Sequence, residues 1–349
     1  MRIRIGKTHA TGMTRRRGLR LGCGDAVVNL APPAEAPDLS AITDPTRPGL
    51  APLAALALLT LIWGLSVPLT KLGLRDVPAP ALVALRYLAA APCFALMLIG
   101  RPLPRPRHLA AMAALGVFGI DAGQSTQMLG VARCSAAVAT MITAIVPVLT
   151  VLLASLRLCQ PVRAPHAVGF VLALGGIGLA ISGAPTSGPA ASTPAGEALT
   201  LFSTLCIASY YVFSVEVAAR EGVITTAAWS SLFAAAGLLP GLWLTPAAGI
   251  HLTPTAIGVV LYLGFLVTVL GIWIWLRALS RLPARIAGAS QYGQPLIGIA
   301  ASAMMFGDRL DLRFLVGTAL VLGGIGCSAV RGRQAPPRGL CPSGPPAKD

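Results

Sequence analysis

The chain has 349 residues, 55% of them hydrophobic and only 11% charged, against roughly 25% charged in an ordinary globular protein. So few charges cannot cover a soluble fold of this length, and a mean hydropathy of +0.75 makes lipid the solvent. The net charge of +15 would suggest nucleic acid in a soluble protein, but residues 48–330 hold only 22 charged side chains, clustered between long uncharged runs. The remaining charge lies in two basic tails, so nucleic acid is excluded and an all-α polytopic membrane protein is expected.

Residues 1–47 hold eight Lys/Arg and four Asp/Glu. Arg15-Arg16-Arg17 faintly resembles a twin-arginine export signal, but Asp25, Pro32, Pro33, Glu35, Pro37, Asp38 and Asp44 precede the first apolar run at Leu50. The segment is read as a disordered cytoplasmic tail, with Met13 as an alternative start. Ten spans of about 20 apolar residues follow: 51–71, 80–99, 109–130, 134–155, 166–183, 197–218, 225–244, 255–277, 284–306 and 312–330. Residues 331–349, rich in Pro and Gly, form a second disordered tail.

The first span carries Trp63 well inside it, and Lys71 at its end is read as an interfacial anchor. Arg86 lies in the second. It either snorkels to the interface or pairs with a buried acid, for which Asp121 is the candidate. In the third span Asp121, Gln124, Ser125 and Gln127 make a polar stripe, which faces either a cavity or a neighbouring helix. Pro147 interrupts the fourth span. Tyr210 lies deep in the sixth, on a face with Ser203, Cys206 and Ser214. Trp229, Trp243, Trp273 and Trp275 lie nearer helix ends and suit an aromatic belt. In the ninth span Gln291, Tyr292 and Gln294 cluster around Pro295, which frees the Gln291 carbonyl. No histidine pair has metal-ligand spacing, and there is neither a Cys-x-x-Cys nor a nucleotide-binding glycine loop, so no cofactor is expected.

The chain also repeats itself. Gly169-Phe170-Val171-Leu172-Ala173-Leu174-Gly175-Gly176-Ile177-Gly178 aligns with Gly317-Thr318-Ala319-Leu320-Val321-Leu322-Gly323-Gly324-Ile325-Gly326 at an offset of 148, which also pairs Pro147 with Pro295. An offset of 145 pairs Arg75-Asp76 with Arg220-Glu221. Residues 48–183 and 184–330 are therefore read as two five-helix repeats. Because five is odd, the halves are inverted, an arrangement that places substrate sites near mid-membrane in secondary transporters. With a cytoplasmic N-terminus, nine loop arginines fall inside and five Lys/Arg outside, so both termini are expected in the cytoplasm.

The chain resembles the EamA-type transporters of the drug/metabolite transporter superfamily. The matching residues are Trp63-Gly64-Leu65-Ser66 with Lys71, Leu85-Arg86-Tyr87, Ile145-Val146-Pro147-Val148-Leu149, Gln294-Pro295-Leu296-Ile297 and Phe306-Gly307-Asp308-Arg309-Leu310, together with the last Gly-rich helix. At the end of the fourth span, Leu158-Cys159-Gln160 stands where the family has Gly-Glu-Arg. The resemblance implies ten helices and transport of a small polar metabolite, such as an amino acid, by alternating access in a bacterial inner membrane, with efflux the expected direction. Proton coupling would fall to Asp121. A membrane enzyme or scaffold is the alternative reading, and the sequence leaves a homodimer open.

Overall fold

The computed structural model describes residues 50–157, 164–183, 192–281, 290–291, 293–308 and 311–329. Both tails, Tyr292, Leu158-Cys159-Gln160 and the start of the predicted ninth span lie outside the described residues. Every described element is a helix. In chain order these are α1 (Leu50–Gly64), α2 (Ser66–Gly73), α3 (Ala79–Met97), α4 (Pro106–Ala114), a π-helical segment (Leu115–Asp121), α5 (Ala122–Ala132), α6 (Ala136–Thr143), α7 (Val146–Arg157), α8 (Ala164–Ser182), α9 (Pro194–Glu221) and α10 (Val223–Trp243). They continue as α11 (Pro254–Leu261), a second π-helical segment (Tyr262–Leu270), α12 (Gly271–Arg281), α13 (Gly293–Phe306) and α14 (Leu312–Ala329).

Among the described residues, seven helical stretches are long and apolar enough to cross a membrane, and Gly293–Phe306 and Leu312–Cys327 are shorter apolar helices. The predicted third span is helical from Pro106 to Ala132, but Asp121 and its polar neighbours keep it out of that set of seven. Helix starts follow local chemistry. Thr193 and Thr253 each precede a proline, and each hydroxyl accepts a hydrogen bond from a first-turn amide, at Gly196 and Ala256 respectively, both at 3.1 Å. Ser135 caps α6 in the same way through the Val138 amide. Between α9 and α10 there is no loop. Gly222, at φ +88°, reverses the chain alone in a conformation that side-chain-bearing residues rarely adopt.

In lipid, apolar burial does little to pull helices together, so close van der Waals packing must do it. One buried cluster surrounds α3, where Leu82, Val83 and Tyr87 meet Met128, Leu238 and Leu263. A second joins α6 and α7 to α8 and α14 through Met141, Ile142, Ile145, Ala173 and Val321. Here the two sequence-repeated decapeptides pack on each other. A Cβ on Gly176 would stand 2.6 Å from the Gly317 carbonyl oxygen, one on Gly317 would stand 2.5 Å from that of Gly176, and one on Gly324 would stand 2.4 Å from that of Gly169. Pairs 169–324 and 176–317 place α8 and α14 antiparallel. At an offset of 148, exchange of the repeats turns each pair into the other.

One end of the bundle is tied together by its loops. Lys71, expected to be an interfacial anchor, instead donates from Nζ to the carbonyls of Val131 (2.9 Å), Ala132 (3.2 Å) and Cys134 (2.6 Å), because a cation satisfies the orphan oxygens at the end of α5. Asp308, between α13 and α14, accepts from the Ala137 amide at the start of α6 at 2.9 Å. Burial pushes its carboxyl above the ordinary aspartate value, opposed by that amide and by the nearby Lys71. The Ser135 amide donates to the Ser192 hydroxyl, the Thr193 amide to the Arg133 carbonyl and the His251 amide to the Asp76 carbonyl.

Candidate functional site

The two π-helical segments occupy corresponding places. Tyr262 follows Leu115 by 147 residues, within one residue of the repeat offset read from the glycine decapeptides. A π turn adds a residue to the helix and disturbs its hydrogen-bond ladder, leaving backbone acceptors for outside donors. In the second segment that acceptor is the Val267 carbonyl, to which the Trp63 indole Nε1 donates at 3.0 Å. The Tyr262 hydroxyl crosses the other way and donates to the Ile62 carbonyl at 2.7 Å. Trp63 also contacts Trp275, with ring centroids 5.9 Å apart. Trp275 therefore turns into the bundle and is not part of an aromatic belt.

Arg86 stands beside this crossing and is buried, with 7% exposure. Its Nε donates to Thr268 Oγ1 at 3.0 Å and its Nη1 to Gln124 Oε1 at 2.8 Å, while the guanidinium carbon lies 5.5 Å from the Tyr87 ring centroid. The Thr268 hydroxyl is oriented by its own donation to the Leu263 carbonyl, five residues back across the π turn. A cation in the membrane centre costs roughly 2.5–3.5 kcal/mol on insertion scales. Two charge-assisted hydrogen bonds, at roughly 1.5–3 kcal/mol each, are of the size needed to offset that cost. They hold Arg86 in place, but its partners are neutral.

The expected Arg86–Asp121 pair does not form. The His108–Glu221 and Arg157–Glu216 ion pairs lie elsewhere. Asp121 ends the first π segment and accepts from the Ser125 hydroxyl at 3.0 Å. Its Oδ2 faces α10 at Gly237, where a Cβ would lie only 2.5 Å away. Gln127 is half-buried and makes no side-chain hydrogen bond among the described residues. Tyr210 on α9 packs over Gly119, where a Cβ would lie 2.8 Å from its own, and contacts the Tyr211 ring.

The proline sites differ from expectation in one respect. Pro147 follows a break at Ala144–Ile145 and lies in the first turn of α7, while Pro295 lies in the first turn of α13. Each therefore starts a helix where a first-turn amide needs no intrahelical partner, and neither kinks a continuous one. The Gln291 carbonyl is not left free, since it accepts from the Gln294 amide at 3.4 Å, and the Gln294 side chain donates to Gln291 Oε1. This pair adjoins α1. Thr60 Oγ1 donates to the Ser290 carbonyl at 3.3 Å, and a Cβ on Gly64 would lie 3.0 Å from the Gln294 carbonyl oxygen.

Of the residues singled out in the sequence, the structure thus gathers Trp63, Arg86 and Gln124. It leaves Asp121, Gln127 and Tyr210 around the neighbouring α5–α9–α10 contact, and Gln291 and Gln294 against α1. Sequence reasoning missed Thr268, Tyr262 and the Val267 carbonyl. One signal could have found them, because Thr268 follows Asp121 by the same 147 residues that separate the π segments.

Residues 51–182 and 194–330 each match the model of the EamA-like transporter family. Among curated proteins, a protein named "Uncharacterized transporter" from Archaeoglobus fulgidus is 26% identical over 77% of this chain and 95% of its own length. A "Probable terminal-alkyne amino-acid exporter" of Streptantibioticus cattleyicolor is 27% identical over 78% and 91%. A "Probable amino-acid metabolite efflux pump" of Salmonella typhimurium is 26% identical over 77% and 91%. A solved crystal structure of a protein shares the fold with a TM-score of 0.57 at 17% identity, over 80% of this chain and 96% of the other.

Proposed function

The chain belongs to the EamA-like transporter family, whose members are transporters and not enzymes, and from that premise we propose that it exports a small polar metabolite bearing a carboxylate, an amino acid or a close relative of one. The observation that carries this reading is Arg86, a buried guanidinium held by Gln124 and Thr268 with no carboxylate of the chain among its described partners. A substrate carboxylate would neutralise it through a bidentate pair, which suits a planar guanidinium. Trp63 and the glutamine pair Gln291–Gln294 would line the path from α1 and α13. The relatives named as amino-acid exporters and efflux pumps support both substrate class and direction.

The proposed machine has ten spans in two inverted halves, 48–183 and 184–330, in a bacterial inner membrane with both termini in the cytoplasm. Three features support it: the family model matching twice, the π segments in corresponding helices, and the antiparallel glycine contact between the fifth helices of the halves. The halves would rock about the Arg86 site, exposing it to each side in turn. Asp121 would serve as the proton carrier if export is coupled to the proton gradient.

Counterflow in proteoliposomes with an amino-acid library tests the proposal. Exchange of at least one carboxylate-bearing compound, abolished in Arg86→Gln, is the expected result. Exchange confined to compounds without a carboxylate, or retained at full rate in Arg86→Gln, would refute it.

A further inference from the structure

Two contacts join the repeats at opposite ends of the bundle. At the Lys71 end, Asp76, just past α2, accepts at Oδ2 from the Thr253 hydroxyl at the start of α11, at 2.6 Å. At the far end, His108 in the first turn of α4 pairs through Nδ1 with Oε1 of Glu221, the last residue of α9. Between the two ends runs α3, whose 19 residues span roughly 28 Å. The offset of 145 that pairs Asp76 with Glu221 also pairs His108 with Thr253. At that offset, exchange of the repeats turns one contact into the other. Each joins the end of one repeat's first span to the start of the other repeat's third. The chemistry is not conserved by the exchange: a hydroxyl meets a carboxylate at one end, and an imidazole meets a carboxylate at the other.

We propose that the His108–Glu221 contact makes opening at its end of the bundle depend on pH. The proposal rests on the reading of two inverted halves that rock, and not on what Arg86 binds. Histidine is the side chain that changes charge between pH 5 and 8. As a cation, His108 donates to the carboxylate in a charge-assisted bond, which is roughly twice as strong as a neutral one. Acid therefore holds this end shut, and the hold weakens as pH rises and the imidazole loses its charge. The Thr253 hydroxyl at the other end has no charge to lose over that range. The surroundings leave Glu221 as the carboxylate at the ring. α4 packs against α9, α10 and the first π segment. α10 carries no ionisable side chain, and the carboxylate of the π segment, Asp121, lies thirteen residues beyond His108, roughly 19 Å along the helix. On α9, Glu216 is engaged with Arg157 at 2.7 Å, and Arg220 is exposed. Arg105, ahead of α4, lies near enough to act on the Glu221 charge, while Arg107 beside His108 is exposed.

Double electron–electron resonance on the full chain in lipid nanodiscs, with no substrate added, tests this. Spin labels on cysteines at the exposed positions Leu103 and Ala219, in a background without native cysteines, report the separation across the His108 end. The fraction of widely separated conformers should fall about three-fold from pH 8 to pH 6, the size expected of a partly exposed ion pair. His108→Gln keeps a donor but cannot be charged, and should remove that dependence. Glu221→Gln, which removes the carboxylate, should do the same. The two substitutions lie on different elements, so a folding defect in one leaves the other as the test. Arg107→Gln, one residue from the ring, should keep the three-fold change, which separates loss of the titrating group from loss of a nearby charge. A wild-type distribution that is the same at both pH values overturns the proposal, as does a three-fold change retained in His108→Gln or Glu221→Gln. Counterflow confined to compounds without a carboxylate would leave this result standing, so the two readings fail separately.

Discussion

Arg86 is a charge with no carboxylate among its described partners, and its neighbours set what a substitution does. Lysine at this position keeps the charge but loses the forked geometry that reaches Gln124 on one side and Thr268 on the other. Arg86→Lys should therefore retain a small fraction of counterflow, while Arg86→Gln should retain none, both being well folded by size-exclusion profile. Trp63→Phe deletes the indole donor to the Val267 carbonyl. A loss of about 1–3 kcal/mol is expected, visible as a lower unfolding temperature in detergent. Arg86 and Gln124 were legible in the sequence because polar groups in an apolar run must point at something. Their pairing was not. Asp121 turns to Gly237 on α10 while Gln124, three residues on, reaches Arg86. A helical projection sets the two on adjacent faces but does not say which neighbour each face meets.

Among the elements, the glycine contact of α8 with α14 makes the sharpest demand on side-chain size. Gly176→Leu and Gly324→Leu should each destabilise the protein by more than about 2 kcal/mol, because the obstructing atoms are backbone and cannot turn aside. Gly175→Leu, one residue away with nothing within 4 Å of its would-be Cβ, should be neutral. Thermal unfolding of the three variants in one detergent checks both halves of this statement. The repeat in the sequence marked these decapeptides as equivalent, but the glycine spacing alone did not say that the two copies touch. The start of α11 was legible because its turn chemistry is local, at Thr253-Pro254, whereas α9 begins at Pro194, three residues ahead of the expected span. Lys71 was misjudged because its three carbonyls come from the end of α5 and the turn after it, some 60 residues later, and no local pattern encodes that.

For the molecule as a whole, the inverted ten-span reading predicts sidedness. Single cysteines placed at Arg107 and Arg220 should label with an impermeant maleimide only from the cytoplasmic face, and one at Ala248 only from the opposite face. Labelling of all three from one side would refute the arrangement. Native Cys134 should not interfere, since it is fully buried. Loops from both halves are joined at the Lys71 end, by Asp308 on Ala137, Ser192 on Ser135 and His251 on Asp76.

The grip of Lys71 on three carbonyls has a kinetic meaning. A passage opening at that end requires the α2 ammonium to part from the end of α5, and nothing else described there offers those oxygens a cation. The residue would then act as a latch whose release sets the tempo of the whole cycle. Lys71→Met should shorten the dwell time of the closed state, seen by single-molecule fluorescence across that end, and should leave affinity at the Arg86 site unchanged. A dwell time that stayed the same would show that the latch opens faster than the helices move.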